Sequence, residues 1–104
     1  ILYTTAQMAI NAIDFEMNPQ AAVEVPRIIY YPDADPAKSR INIEPLVPIA
    51  VIDGMKGKGQ NISPFNVKDF TMSCGGHLAI KIDPVNGTFL GGADPRREGY
   101  GVAW

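Results

Sequence analysis

The 104-residue chain carries nine Lys and Arg against eleven Asp and Glu, a net charge of −2, and 46% of its residues are hydrophobic. That is the size of one small domain with enough apolar content to exclude disorder, and without a basic excess it lacks the field that holds polyphosphates, so nucleic acid is not an expected partner. Nine Pro and ten Gly preclude a second long helix, and no apolar run reaches the roughly 18–20 residues of a membrane span, so a turn-rich α/β piece with no membrane insertion by this segment is expected.

Leu2, Ala6, Ala9, Ile10, Ile13 and Met17 recur at spacings of three and four and predict a helix over Leu2–Met17. Met8, Ala12 and Phe15 widen its apolar face, so cover from two sides is expected. The chain opens inside this stripe with neither an initiator Met nor a capping residue, and an upstream segment is expected. Asn18-Pro19 then reads as an N-cap followed by proline at the first helical position, starting a short helix from Gln20 to Val25 that Pro26 stops.

Arg27 to Tyr31 is β-branched and aromatic between two prolines and predicts a strand. The stretch from Pro32 to Arg40 has no periodicity and reads as an exposed loop, and Ile41-Asn42-Ile43-Glu44 alternates as a half-buried strand. A third helix is expected from near Pro48 through Ile49, Ile52 and Met55, ended by Gly57-Lys58-Gly59. Leu78, Ile80 and Ile82 face one way and Ala79 and Lys81 the other. With turn chemistry in Asp83-Pro84-Val85-Asn86-Gly87 and a returning Thr88-Phe89-Leu90, this is a β-hairpin.

Cys74 is the sole cysteine, so no internal disulfide forms, and the redox compartment is left open. Cys74 and His77 invite a nucleophile-and-base reading, but two glycines separate them at a strand entrance and no carboxylate is assigned to orient the imidazole; a glycine-rich turn is the expectation. Gly57-Lys58-Gly59-Gln60-Asn61 follows a helix instead of opening one and lacks the rest of a phosphate loop, so it reads as a C-cap. Gly91-Gly92 reads as a tight packing point, and Asp33 and Asp35 as solvated charge without the glycine and terminal glutamate of a calcium loop. Asp94-Pro95-Arg96-Arg97 is different. Asp94 can accept backbone N–H groups while Pro95 sets the chain direction, and two guanidinium groups can fork onto carboxylates or carbonyls elsewhere. Asp94, Arg96 and Arg97 are therefore expected to form a structural clasp, with Arg96 the inward arginine.

Two segments carry a family resemblance. Ile13-Asp14-Phe15-Glu16-Met17, followed by Glu24 and by Pro26-Arg27, resembles a helix ending in N-x-I-D-x-G-M and then x-E-A-V-x-x-P-R, and Gly91-Gly92-Ala93-Asp94-Pro95-Arg96-Arg97 resembles G-x-x-D-P-R-R. In this order and spacing they are similar to the C-terminal, small-subunit part of gamma-glutamyltranspeptidases, with Glu16 where that family commonly has glycine. The resemblance implies one segment, 1–104, of an α/β (α+β) fold: the C-terminal portion of an N-terminal-nucleophile (Ntn) hydrolase αββα sandwich, with an N-terminal amphipathic helix and a C-terminal β-hairpin.

It also implies an enzyme whose precursor cuts itself to free a threonine. That threonine, with its own α-amino group as base, attacks the γ-glutamyl amide of glutathione and passes the acyl group to water or an amino acid. In the family the nucleophile and the oxyanion and glutamate-binding motifs precede the segment similar to Ile1 onward, and Thr4-Thr5 lies inside a helix. No catalytic, substrate-binding or metal residue and no cofactor is therefore expected in this chain. Its expected partners are the remainder of the enzyme or another copy of the chain, with γ-glutamyl compounds as substrates of the parent. An autonomous α/β binding module and a part of a related amide acylase are the alternatives.

Overall fold

The computed structural model describes residues 2–66 and 71–102. Helix α1 spans Leu2–Ile13 and ends a turn earlier than its apolar stripe. The backbone N–H groups of Asp14 and Phe15 both bond to the Ile10 carbonyl (2.8 and 3.2 Å), and Glu16 turns the chain with φ +52°. A left-handed residue closes a helix as glycine usually does, and periodicity is blind to it. Leu2, Ile10 and Ile13 are exposed, and Thr4 is the buried residue of the helix.

Glu16 occupies a conformation in which a Cβ costs about 1–2 kcal/mol. Glu16→Gly removes that strain but adds freedom to the unfolded chain. The expected net result is a gain of up to about 1 kcal/mol in denaturant unfolding, and a loss of stability would show that Glu16 makes a compensating contact.

Helix α2 covers Pro19–Glu24, with the Asn18 side chain accepting from the Ala21 N–H (2.8 Å) and Pro19 in its first turn. Its Ala22 and Val23 are buried. Strand β1 (Ile28–Tyr31) pairs antiparallel with β2 (Arg40–Ile43), Ile28 opposite Ile43 and Tyr31 opposite Arg40. In the intervening loop Asp33 accepts from the Asp35 N–H (2.9 Å) and Asp35 from the Ala37 N–H (3.1 Å), so these carboxylates shape turns.

Helix α3 (Ile49–Gly57) ends at Lys58 and Gly59, whose φ is +82°. It carries the chain across to β3 (Ile62–Pro64), which lies parallel to β2 and completes a sheet of order β1-β2-β3. Three residues that include a proline leave no strand signature, and β3 is not foreseen in the sequence.

The second sheet is the hairpin of β4 (Leu78–Asp83) and β5 (Thr88–Ala93), paired from Leu78–Ala93 to Asp83–Thr88. Asp83 caps its turn by accepting from the N–H groups of Val85 (3.0 Å) and Asn86 (3.2 Å), and Gly87 supplies the positive φ. Helix α2 lies against the hairpin. The Gln20 carboxamide accepts from the Ala93 N–H (2.9 Å) and donates to the Ala93 carbonyl (3.0 Å), standing in for a neighbouring strand. Gln7 of α1 does the same for Ile28 at the edge of β1, at 3.0 and 2.8 Å.

Among the described residues the buried hydrophobic side chains Ala22, Val23, Ile43, Ile52 and Cys74 stand beside the buried polar or charged Thr4, Arg27, Glu44, Thr71, Asp94 and Arg96. Hydrophobic burial alone therefore does not define the centre of this fold. The radius of gyration is 15.7 Å, against about 13 Å for a compact domain of this length. Leu78, Ile80, Ile82 and Phe89, on one face of the hairpin, are each more than 60% exposed.

Candidate functional site

The two sheets meet at four charged side chains. Pro95 turns the chain out of β5 and sends Arg96 inward, where its guanidinium grips Glu44 in a fork: Nε donates to Oε1 at 2.8 Å and Nη2 to Oε2 at 2.5 Å. Its Nη1 donates to Asp94 Oδ1 (3.0 Å) and to the Val23 carbonyl (2.9 Å), and Nη2 reaches the Val25 carbonyl (3.1 Å). Arg27, entering β1, pairs with Asp94 Oδ2. It also donates to the carbonyls of Val23 (2.8 Å), Cys74 (3.1 Å) and Gly75 (3.3 Å).

The carboxylates are as fully used. Glu44 also accepts from the N–H groups of Arg27 (2.8 Å) and Thr71 (3.0 Å), and Asp94 from those of His77 (3.0 Å) and Arg96 (3.0 Å). Two guanidinium groups and two carboxylates sum to zero charge. Neutrality and complete hydrogen bonding are the conditions under which buried ions are tolerated. Burial pushes the Glu44 carboxyl up, but the bond from Arg96 and the N–H groups of Thr71 and Arg27 outweigh it and hold the group below its ordinary range. Asp94 is likewise raised by burial and lowered further by the Arg96 N–H and by the side chains of Arg27 and Arg96. For Arg96, burial works against the charge, and Glu44 and Asp94 more than restore it. Both depressed carboxylates favour the folded state above the unfolded carboxylate range, and that contribution is lost as pH falls through their folded values.

Asp94 and Arg96 thus stand inside the hub, whereas Arg97 lies outside it. Its exposed guanidinium donates to the Met72 carbonyl at 3.0 Å, and its stem covers Gly76, where a Cβ would fall 2.1 Å from Arg97 Cγ. The other two members, Arg27 and Glu44, are not singled out by sequence reasoning as a charged pair. Their signals are slight: an arginine after the proline that ends α2, and a carboxylate closing an alternating strand.

The Cys74 thiol is fully buried, and burial followed by the neighbouring Glu44 charge pushes it up to about 12, the reverse of an activated nucleophile. The His77 ring contacts Thr4 Oγ1 of α1 (3.2 Å). The Gly91-Gly92 pair divides: a Cβ on Gly91 would meet open space, while one on Gly92 would lie 2.5 Å from the Pro19 carbonyl carbon and 2.8 Å from Gln20 N. Among the described residues no cluster of His, Cys, Asp and Glu could hold a metal ion, and no helix is long and apolar enough to cross a membrane. An open cleft of about 510 Å³ runs along the hairpin between Leu78, Ile80, Phe89, Tyr100 and Val102. Its walls are mostly apolar and bring together no acid and base.

Solved structures similar to this chain include a cephalosporin acylase and gamma-glutamyltranspeptidases. A cephalosporin acylase from Bacillus halodurans superposes with a TM-score of 0.80 at 29% identity, over 97% of this chain and 17% of that one. An acivicin-inhibited gamma-glutamyltranspeptidase does so with a TM-score of 0.70 at 31% identity, over 94% of this chain and 48% of that one. The T380A mutant of the Helicobacter pylori gamma-glutamyltranspeptidase gives 0.70 at 30% identity, over 93% and 48%. The fold is therefore that of an Ntn-hydrolase, with mixed α/β structure and two small sheets. The gamma-glutamyltranspeptidase family model matches residues 1–104, and the chain belongs to that family. It spans about half the length of the transpeptidase chains it resembles and a sixth of the acylase. A search of curated proteins finds no match.

Proposed function

We propose that residues 1–104 form the structural C-terminal segment of a gamma-glutamyltranspeptidase-like enzyme, whose nucleophilic threonine and oxyanion donors lie on a segment outside this chain. The observation that carries the reading is a family match over the whole chain, with coverage of only 48% of the transpeptidase chains it resembles. The exposed apolar face of the hairpin and the exposed apolar residues of α1 give the remainder of the enzyme surfaces to cover. In this reading the parent transfers the γ-glutamyl group of glutathione-like compounds to water or an amino acid. The acyl carbon passes from the amide nitrogen to the threonine oxygen and then to the acceptor.

The role of the segment is a clasp. Asp94 and Arg96 join the C-terminal corner to Arg27 and Glu44, and Arg97 straps the turn at Met72. The acivicin-inhibited relative is described as having a C-terminus with critical roles in autoprocessing and catalysis, which fits a corner that must be anchored before the site is competent. The high structural similarity to a cephalosporin acylase favours a second reading, an amidase for other acyl groups.

A γ-glutamyl anilide and a cephalosporin side-chain amide, each given to the full-length protein, separate the two readings. Turnover of the anilide is expected, with none from residues 1–104 alone. Cleavage of the cephalosporin amide only establishes the acylase, and turnover of neither returns the chain to a non-catalytic binding module.

A further inference from the structure

Asn86 is the one asparagine of six that glycine follows. The others precede Ala12 inside α1, Pro19, whose nitrogen carries no hydrogen, or Ile43, Ile62 and Val67, whose branched side chains crowd the main chain. Asn86-Gly87 closes the turn between β4 and β5 at the exposed tip of the hairpin. A Cβ on Gly87 would meet open space, so water and hydroxide reach its amide without obstruction. We infer that Asn86-Gly87 is a site of spontaneous deamidation through a succinimide, and that Asp83 restrains the reaction by holding the Asn86 carboxamide.

Once hydroxide has removed the Gly87 amide proton, the nitrogen attacks Cγ of Asn86 and closes a succinimide ring. The Cγ–Nδ2 bond breaks, and the departing nitrogen takes a proton from water and leaves as ammonia. Water then opens the ring at either carbonyl, to aspartate or to isoaspartate. The chain has exchanged NH2 for OH and, on ionisation, gains one negative charge.

Asp83 opposes the early steps. Its Oδ2 accepts from Asn86 Nδ2 at 2.6 Å, while its Oδ1 accepts from the N–H groups of Val85 (3.0 Å) and Asn86 (3.2 Å). The carboxamide is thus tied to Asp83 instead of being free to swing onto the Gly87 nitrogen. The Asn86 side chain, and then its N–H, hold Asp83 below its ordinary range, and an ionised carboxylate has no proton to give the departing nitrogen. In the product a second carboxylate faces Asp83 where a donor had stood, and isoaspartate lengthens the main chain of the turn that sets the pairing of Asp83 with Thr88.

This stands apart from the enzymatic reading and needs no substrate to test. The full-length protein is incubated at mildly alkaline pH, folded and in urea, and peptides spanning β4 and β5 are sequenced by mass spectrometry at intervals. A gain of about 1 Da is expected at Asn86, as a mixture of aspartate and isoaspartate. It should accumulate more slowly in the folded protein than in urea. Asp83→Asn keeps one oxygen to cap the turn but puts an amide where Oδ2 accepted from Asn86, and the new asparagine cannot cyclise onto Pro84. Its folded-state rate is expected to rise about fivefold, the factor an ordinary net hydrogen bond supplies. A folded wild-type protein still unmodified when the urea sample is fully converted removes the site. An unchanged rate in Asp83→Asn, or a folded rate equal to that in urea, removes the restraint, and aspartate without isoaspartate removes the succinimide.

Discussion

Arg96→Ala is expected to destabilise the full-length protein by about 3–5 kcal/mol, because truncation leaves Glu44 and one oxygen of Asp94 buried without their guanidinium. Arg97→Ala is expected to cost at most about 1 kcal/mol, since its guanidinium is exposed and makes one bond to a carbonyl that water can replace. Arg96→Lys separates charge from shape. An ammonium preserves the sign but not the fork onto both Glu44 oxygens, so most of the loss should persist. Urea unfolding of the three variants reads this directly. Small and equal losses for Arg96→Ala and Arg97→Ala would remove the clasp and leave the corner free for a ligand-binding role.

Gly92→Ala is the second large effect, with an expected loss of about 3 kcal/mol. The added methyl would lie 2.5 Å from the carbonyl carbon of Pro19 and 2.6 Å from its oxygen, and these are main-chain atoms that no rotamer change can move aside. Helix α2 would have to lift from β5, and the Gln20 carboxamide that bonds both the N–H and C=O of Ala93 would lift with it. Pro19→Ala should therefore fail to rescue Gly92→Ala, because it leaves the offending backbone in place. Rescue, or a loss below about 0.5 kcal/mol, would show that the helix–hairpin approach is looser than this geometry.

What the sequence makes legible follows the range of the forces involved. The hairpin turn, the Asn18-Pro19 start of α2 and the glycine end of α3 are local: each depends on groups a few residues apart, and residue type reports them directly. The end of α1 is local too but is hidden by Glu16, a residue that ordinarily avoids the left-handed conformation it adopts. The hub is only half legible. Asp94-Pro95-Arg96-Arg97 stands out as a charged corner, but Arg96 meets Glu44 across 52 residues and Arg27 meets Asp94 across 67, distances over which no spacing rule operates. The distinct positions of the two adjacent arginines also depend on tertiary structure, as Gly76 leaves room for the Arg97 stem and the fork of Glu44 receives Arg96.

The order in which the hub's members are synthesised has a consequence for biogenesis. Arg27 leaves the ribosome 67 residues before its partner Asp94, and Glu44 leaves it 52 residues before Arg96, so neither early charge meets its hub counter-ion until the last strand has been made. The nascent chain can form α2 and the β1–β2 pair, but their junction must stay hydrated and open until the last strand is complete.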